Sequence, residues 1–178
     1  CPYQCPYCAS GFLSPGLRQR DPGDVLGEIL FWHGCYGVRD FAFYDDALLV
    51  RAESHLSILL GELARRDLGL RFHTPNALHV RGITREVAEL LARAGFRTIR
   101  LGFETSDMEL HRRLGGKVAE GEFERAVGNL LRAGYTQREI GAYVLMGLPG
   151  QSLESVRSSA EFVGRTGATP YLAEYSPI

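Results

Sequence analysis

An α/β fold of parallel strands is what this sequence predicts, on three observations. Strand-like and helix-like segments alternate along the chain, which implies parallel strands with right-handed crossovers, in a barrel or an open doubly wound sheet. A helix end written Arg93-Ala94-Gly95-Phe96 returns as Arg132-Ala133-Gly134-Tyr135 and, more loosely, as Arg165-Thr166-Gly167-Ala168. An interval of roughly 35 residues also suits all-helical solenoids, but here a strand-like run follows each glycine. The strand candidates themselves are short and mostly apolar, as strands covered on both faces are.

In chain order, Pro6 lacks a backbone donor and disfavours helical geometry at Cys5, so residues 1–8 are expected to be a loop. Residues 10–20, rich in Gly, Ser and Pro, should be irregular. Asp21 caps a helix with Pro22 at its first position, Val25, Ile29 and Trp32 inward, and Gly37 as its stop. Phe41 to Tyr44 reads as a strand buried on both faces. Leu56, Leu59, Leu60 and Leu63 mark the next helix by their i, i+3, i+4, i+7 spacing. Leu70 to His73 follows as a strand. Thr84 caps a helix with Val87, Leu90, Leu91 and Ala94 inward, stopped by a left-handed Gly95. Thr98 to Phe103 is a strand. Phe123, Ala126, Val127, Leu130 and Leu131 mark another helix. The last two strands are Ile140 to Met146 and Tyr171 to Tyr175, separated by a helix carrying Val156, Ala160 and Val163.

With 178 residues, 45% of them hydrophobic, the chain buries a full core and reads as one domain, 1–178. No apolar run approaches a bilayer span, which argues against a membrane. The net charge of −1 gives no electrostatic reason to expect nucleic acid as a partner. Three of the four cysteines crowd into eight positions. That suits metal binding in a reducing compartment, hence the cytoplasm, better than a disulfide scaffold. A chain that begins on Cys1 rather than Met, and ends on Tyr175-Ser176-Pro177-Ile178 without a cap, reads as trimmed at both ends.

The three thiols of Cys1, Cys5 and Cys8 can wrap a soft centre: an iron–sulfur cluster, zinc or copper(I). Three ligands on a four-iron cubane leave one iron free. In parallel barrels, chemistry sits at the C-terminal ends of strands. Those ends carry Asp45 and Asp46; His73, Thr74, Pro75 and Asn76; Glu104, Thr105 and Ser106; Met146 and Gly147; and Glu174, Tyr175 and Ser176. Strand ends are loop-like and polar in any case. Two aspartates straight after an aromatic strand are harder to explain that way, because a carboxylate there costs desolvation unless it meets a cation or donor. Gly147-Leu148-Pro149-Gly150-Gln151 is neither a phosphate loop nor a dinucleotide fingerprint and, alone, reads as a turn.

Together, the Cys1-Pro2-Tyr3-Gln4-Cys5-Pro6-Tyr7-Cys8 motif and these strand ends resemble the radical S-adenosylmethionine superfamily across nearly the whole chain. The Gly147–Gln151 loop and the Pro75-Asn76 turn are similar to the branch holding oxygen-independent coproporphyrinogen oxidases, tRNA methylthiotransferases and cobalamin-dependent radical enzymes. The resemblance implies a partial (β/α)6 TIM-type barrel, with its first strand upstream of Cys1. It implies that Cys1, Cys5 and Cys8 hold a 4Fe-4S cluster, with Tyr7 packed beside it. Asp45 and Asp46 take the place of the segment that receives the amino group of S-adenosylmethionine, and Asn76 belongs to the adjoining turn. Glu104 matches the residue near the ribose and methionine part, while Met146, Gly147 and Tyr175 face the adenine. Lys117 lies near where relatives place a carboxylate-binding arginine, without that residue's bidentate fork. His73 stands where the coproporphyrinogen oxidase branch has glutamate, which argues against simple transfer of that activity.

The implied chemistry is reductive cleavage of S-adenosylmethionine to a 5'-deoxyadenosyl radical that abstracts hydrogen from a small-molecule or macromolecular substrate. A flavodoxin or ferredoxin would donate the electron, and cobalamin would come through a domain not in this chain. Methyl transfer, methylthio transfer and oxidation are all within the branch. Two other readings are a non-catalytic or electron-transferring cluster barrel and a closed zinc site completed by Cys35, otherwise a small buried hydrophobe. His79 and His73 flank the Pro75-Asn76 turn as candidates to face substrate. Tyr3, Arg18, Arg20, Arg112 and Arg113 read as structural or surface residues.

Overall fold

The computed structural model describes residues 1–3, 5–13 and 16–176. The residues at 14 and 15, within the expected irregular run, and the expected chain end at 177 and 178 lie outside it. The elements are α1 (Ser10–Leu13), α2 (Pro22–Tyr36), β1 (Asp40–Ala42), α3 (Leu56–Arg66), β2 (Arg71–His73), β3 (Leu78–His79), α4 (Arg85–Ala94), β4 (Phe96–Glu104), α5 (Met108–Arg113), α6 (Glu122–Arg132), β5 (Ile140–Met146), α7 (Leu153–Thr166) and β6 (Thr169–Glu174). All strand pairs are parallel, in the order β1-β2-β4-β5-β6, with β3 beside β4. The sheet does not close.

The expected helix signals act as read. Asp21 accepts from the Gly23 and Asp24 amides, Thr84 from Val87, and Gly37, Gly95 and Gly167 are left-handed stops. Leu56, Leu59, Leu60 and Leu63 are all buried. Trp32, expected inward, is 43% exposed and lies 5.1 Å from Tyr36, ring to ring. Leu131 is likewise exposed.

β1 departs from the expected doubly buried strand. Asp40 and Ala42 are exposed because β1 is the sheet edge and its concave side is open. A second departure is β3, which lies along the same flank of β4 as β2. β2 pairs with the start of β4, Phe72 with Phe96, and β3 with its later part, Leu78 with Leu101 and His79 with Gly102. Pro75 has no amide to continue a ladder, so the strand is interrupted there and resumes. Thr74 bridges the break: its amide and its hydroxyl each donate to Thr98 O, and that hydroxyl accepts from the Arg100 amide.

The core lies between sheet and helices. Ile99, Leu101 and Phe103 of β4 and Ile140, Ala142 and Val144 of β5 face it. The alternate positions Arg100, Gly102 and Glu104, with Gly141 and Tyr143, fall on the concave face. There the Arg100 guanidinium lies 4.3 Å from the Tyr171 ring centroid. A smaller cluster of Leu110, Leu114, Leu145 and Leu148 packs against Tyr7, Ala173 and Tyr175, tying the cysteine loop to the last strands.

Candidate active site

The cysteine segment is a loop, closed by a turn in which the Cys8 amide donates to Cys5 O at 3.0 Å. All three of its cysteines are free thiols; Cys1 and Cys5 are half-buried and Cys8 is exposed. The Ser10 amide donates to Cys8 Sγ at 3.5 Å. α1 occupies the start of the segment expected to be irregular and supplies that amide.

All three thiols line one cavity of about 360 Å³ at the C-terminal ends of the strands, within the range of small-ligand sites. Of the other residues singled out by sequence, Tyr7, Asp46, Asn76, Glu104 and Lys117 line it too. Asn76 Nδ2 donates to Tyr44 O at 2.8 Å, fastening the β2–β3 turn to the end of β1. The Tyr143 hydroxyl donates to Pro75 O at 2.9 Å, across the cavity's floor.

Glu104 ends β4 with φ 73°, an uncommon conformation for a residue with a side chain. The β4–β5 register shifts between Gly102 and Glu104. The turn is held from behind by buried Ser159, which accepts from the Ser106 amide at 2.9 Å and donates to Ser155 O at 2.8 Å. Glu104 Oε1 accepts from Lys117 Nζ at 3.2 Å, with side chains only 7% and 17% exposed. Lys117 follows two glycines of positive φ, Gly115 and Gly116, and its loop is anchored where the Val118 amide donates to His111 Nε2 at 2.9 Å. A Cβ on Gly102 would come within 2.7 Å of Lys117 Nζ, so the missing side chain is what admits the ammonium.

Tyr7 has a buried hydroxyl without a partner. Burial, and then the neighbouring Glu104 carboxylate, push its pKa far above the usual phenol value, so it stays neutral.

Five of the sequence candidates lie elsewhere. Asp45 turns into a neighbouring cavity of about 410 Å³ between α2, β1 and α3, with Arg18, Arg20 and His55. Met146 packs on the main core, and its carbonyl accepts from the Tyr175 amide at 2.9 Å. Gly147 takes φ 85° at the start of a loop stapled by Gln151, which donates to Leu145 O and accepts from the Leu148 amide. Tyr175 packs with Tyr7 in the smaller cluster. His73 lies on the concave face, between Thr98 Oγ1 at 2.9 Å and Asp40 Oδ1 at 3.3 Å.

Of the two histidines expected to face substrate one lines the cavity, and Tyr3 joins it there beyond the sequence reading. His79, one of two histidines beside the turn, lines the cavity while His73 does not. Tyr3, read as structural or surface, is stacked on it. Nothing in the local sequence distinguishes them; the β3–β4 pairing does.

Cys35 is exposed near the end of α2 and is not among the cavity's lining residues, which leaves a closed four-cysteine zinc site without its fourth ligand. Among the described residues, no three His, Cys, Asp or Glu side chains are grouped to grip a single ion. Thiols spread around a shared cavity suit a multi-iron cluster, where each holds its own iron.

A family model described as the Radical SAM superfamily matches residues 1–163. Among solved structures, the methyltransferase TsrM from Kitasatospora setae, with cobalamin and a [4Fe-4S] cluster bound, superposes with a TM-score of 0.78 at 23% identity over 98% of this chain and 32% of that one. SuiB from Streptococcus suis, bound to the precursor peptide SuiA, gives 0.70 at 18% identity, over 99% and 37%. Coproporphyrinogen III oxidase (HemN) from Escherichia coli gives 0.63 at 16%, over 99% and 42%. The chain thus spans about a third of the TsrM chain, and these likenesses establish the fold. No curated protein matches.

Proposed function

The chain belongs to the radical SAM superfamily, and we propose that it is the core of an enzyme that uses a 4Fe-4S cluster and S-adenosylmethionine to begin radical chemistry on a substrate. The observation that carries this reading is the meeting, in one cavity, of three free thiols with the buried Glu104–Lys117 pair. The donor chemistry fits the cluster, and the unpartnered Tyr7 hydroxyl beside the thiols is an unused polar contact for a ligand. When bound, the two cofactors supply one-electron reductive cleavage of a sulfonium carbon–sulfur bond and, from it, hydrogen abstraction.

The protein's own part is holding and orienting. Cys1, Cys5 and Cys8 hold the cluster, with Tyr7 packed against it. Asp46 and Glu104 offer carboxylates to the ligand's amino group and ribose, and Lys117 offers its ammonium to the carboxylate. Asn76 keeps the β2–β3 turn against β1 and so shapes the wall beside Asp46. We assign the adenine to the Met146-Gly147 backbone and Tyr175, at the rim next to β6. Asp45 lines the second cavity and is assigned no contact with the ligand. The cavity's residues are accounted for by the cluster and S-adenosylmethionine, so we assign no cobalamin contact to this chain.

We assign the protein to a reducing compartment, in this reading the cytoplasm, where thiols persist unpaired. Among the described residues no helix is long and apolar enough to cross a membrane. A flavodoxin or ferredoxin is the proposed electron donor, reaching the cluster from the exposed Cys8 side.

The test is anaerobic reconstitution followed by dithionite reduction. We expect 5'-deoxyadenosine from S-adenosylmethionine, and none from Cys5→Ala. A fully loaded cluster that yields no 5'-deoxyadenosine would sink the reading.

A further inference from the structure

His79 is the cavity side chain whose hydrogen bonding is left half complete. It ends β3 opposite Gly102 and is 7% exposed. Its ring lies on that of Tyr3, centroids 4.3 Å apart and planes 25° from parallel, so it cannot turn without losing that stack. Nδ1 is 3.3 Å from the Arg81 amide nitrogen. An amide N–H only donates, so Nδ1 accepts and the neutral ring carries its proton on Nε2. Nε2 is buried and has no partner. Burial above all, then the Lys117 and Arg81 charges, lower the ring's pKa to about 4. His79 lines the cavity, and at neutral pH its uncharged ring carries an N–H donor that the Tyr3 stack holds in place.

Leaving such a donor without an acceptor is unfavourable, so a bound ligand is the natural source of one. Lys117 lines the same cavity, which favours an anionic acceptor within reach of both. Tyr3 lies between Cys1 and Cys5, so His79 stands against the cysteine loop itself. In the reading above, Lys117 meets the carboxylate of S-adenosylmethionine, the one anionic group of that ligand.

We propose that His79 Nε2–H donates to the carboxylate of bound S-adenosylmethionine, beside Lys117. Lysine brings a point charge without the paired donors of a guanidinium, and His79 supplies the second, directional donor. The inference rests on the proposed function and adds a residue to its ligand site.

The test is equilibrium dialysis of reconstituted, unreduced protein against S-adenosylmethionine and against its decarboxylated analogue, which keeps the sulfonium, amino group and adenosine. His79→Phe keeps a ring on Tyr3 and removes the donor; His79→Gln keeps a donor. We expect His79→Phe to bind S-adenosylmethionine about tenfold more weakly, with unchanged affinity for the analogue, and His79→Gln to recover part of the loss. Equal iron content and equal melting temperature establish that both variants fold. Unchanged S-adenosylmethionine affinity in His79→Phe, an equal loss for the analogue, or no recovery in His79→Gln overturns the proposal. Wild-type protein that binds no S-adenosylmethionine overturns the functional reading along with it.

Discussion

Glu104 and Lys117 are thirteen residues apart in sequence and 3.2 Å apart in the cavity. Removing one member of a buried pair leaves the other charged and unpaired. Lys117→Met is therefore expected to cost about 2–3 kcal/mol in urea unfolding of the cluster-free protein, discounted from the fully buried case for the lysine's partial exposure. The double variant Glu104→Gln/Lys117→Met should recover most of that loss, because the two effects are coupled. Additive losses would mean that the pair is not an energetic unit. Gly102→Ala tests the same pair from the backbone: the new methyl displaces Lys117 Nζ, and S-adenosylmethionine affinity should drop about fivefold, with a smaller loss of stability than in Lys117→Met because the ammonium is retained.

At the scale of elements, repeated helix stops allow a controlled comparison. Gly95 and Gly134 have φ 94° and 100°, but a Cβ on Gly95 would lie 2.5 Å from Leu70 O whereas one on Gly134 meets nothing within 4 Å. Gly134→Ala should cost about 1 kcal/mol through backbone strain alone. Gly95→Ala should cost about 2 kcal/mol or more, because the α4–β4 junction must also move off β2. At about 3 °C per kcal/mol for a chain of this size, thermal melts resolve the two. Equal shifts would refute the close-approach account. The sequence motif marks both glycines alike, and only the packing against Leu70 separates them.

For the whole molecule, pH dependence is the natural probe. His79 and His111 are buried and their pKa values are lowered, in both cases first by desolvation. In the unfolded chain each binds a proton near pH 6.5. Between that value and the lower folded value the unfolded state holds more protons, so stability is lost as pH falls. Melting of the cluster-free protein should be level from pH 8 to 7 and then decline from about 6.5 towards 5. Carboxylates held below their usual range, Asp40 at about 2 among them, add their loss only at lower pH. His79→Gln/His111→Gln should flatten the decline; an unchanged slope would assign it to other groups.

Much of this architecture was legible in local sequence. Period, caps and stops place the main helices because they act within a turn or two of the chain, as Asp21, Thr84 and Gly95 do. Cysteine spacing marked the loop for the same reason, since Pro6 acts on its immediate neighbour. Which side chains share the cavity was decided by the tertiary structure. Adjacent Asp45 and Asp46 enter different cavities, and His79 lines the site where His73 does not. β3 itself was hidden behind Pro75 and Asn76, read as a turn. The physical reason is that strand register and pleat set the direction of each side chain, and those depend on pairing with a strand some twenty residues away. The sequence alone thus determined the alternation of elements and the metal-binding loop. Only the folded sheet aligned Glu104, Lys117 and His79 with that loop.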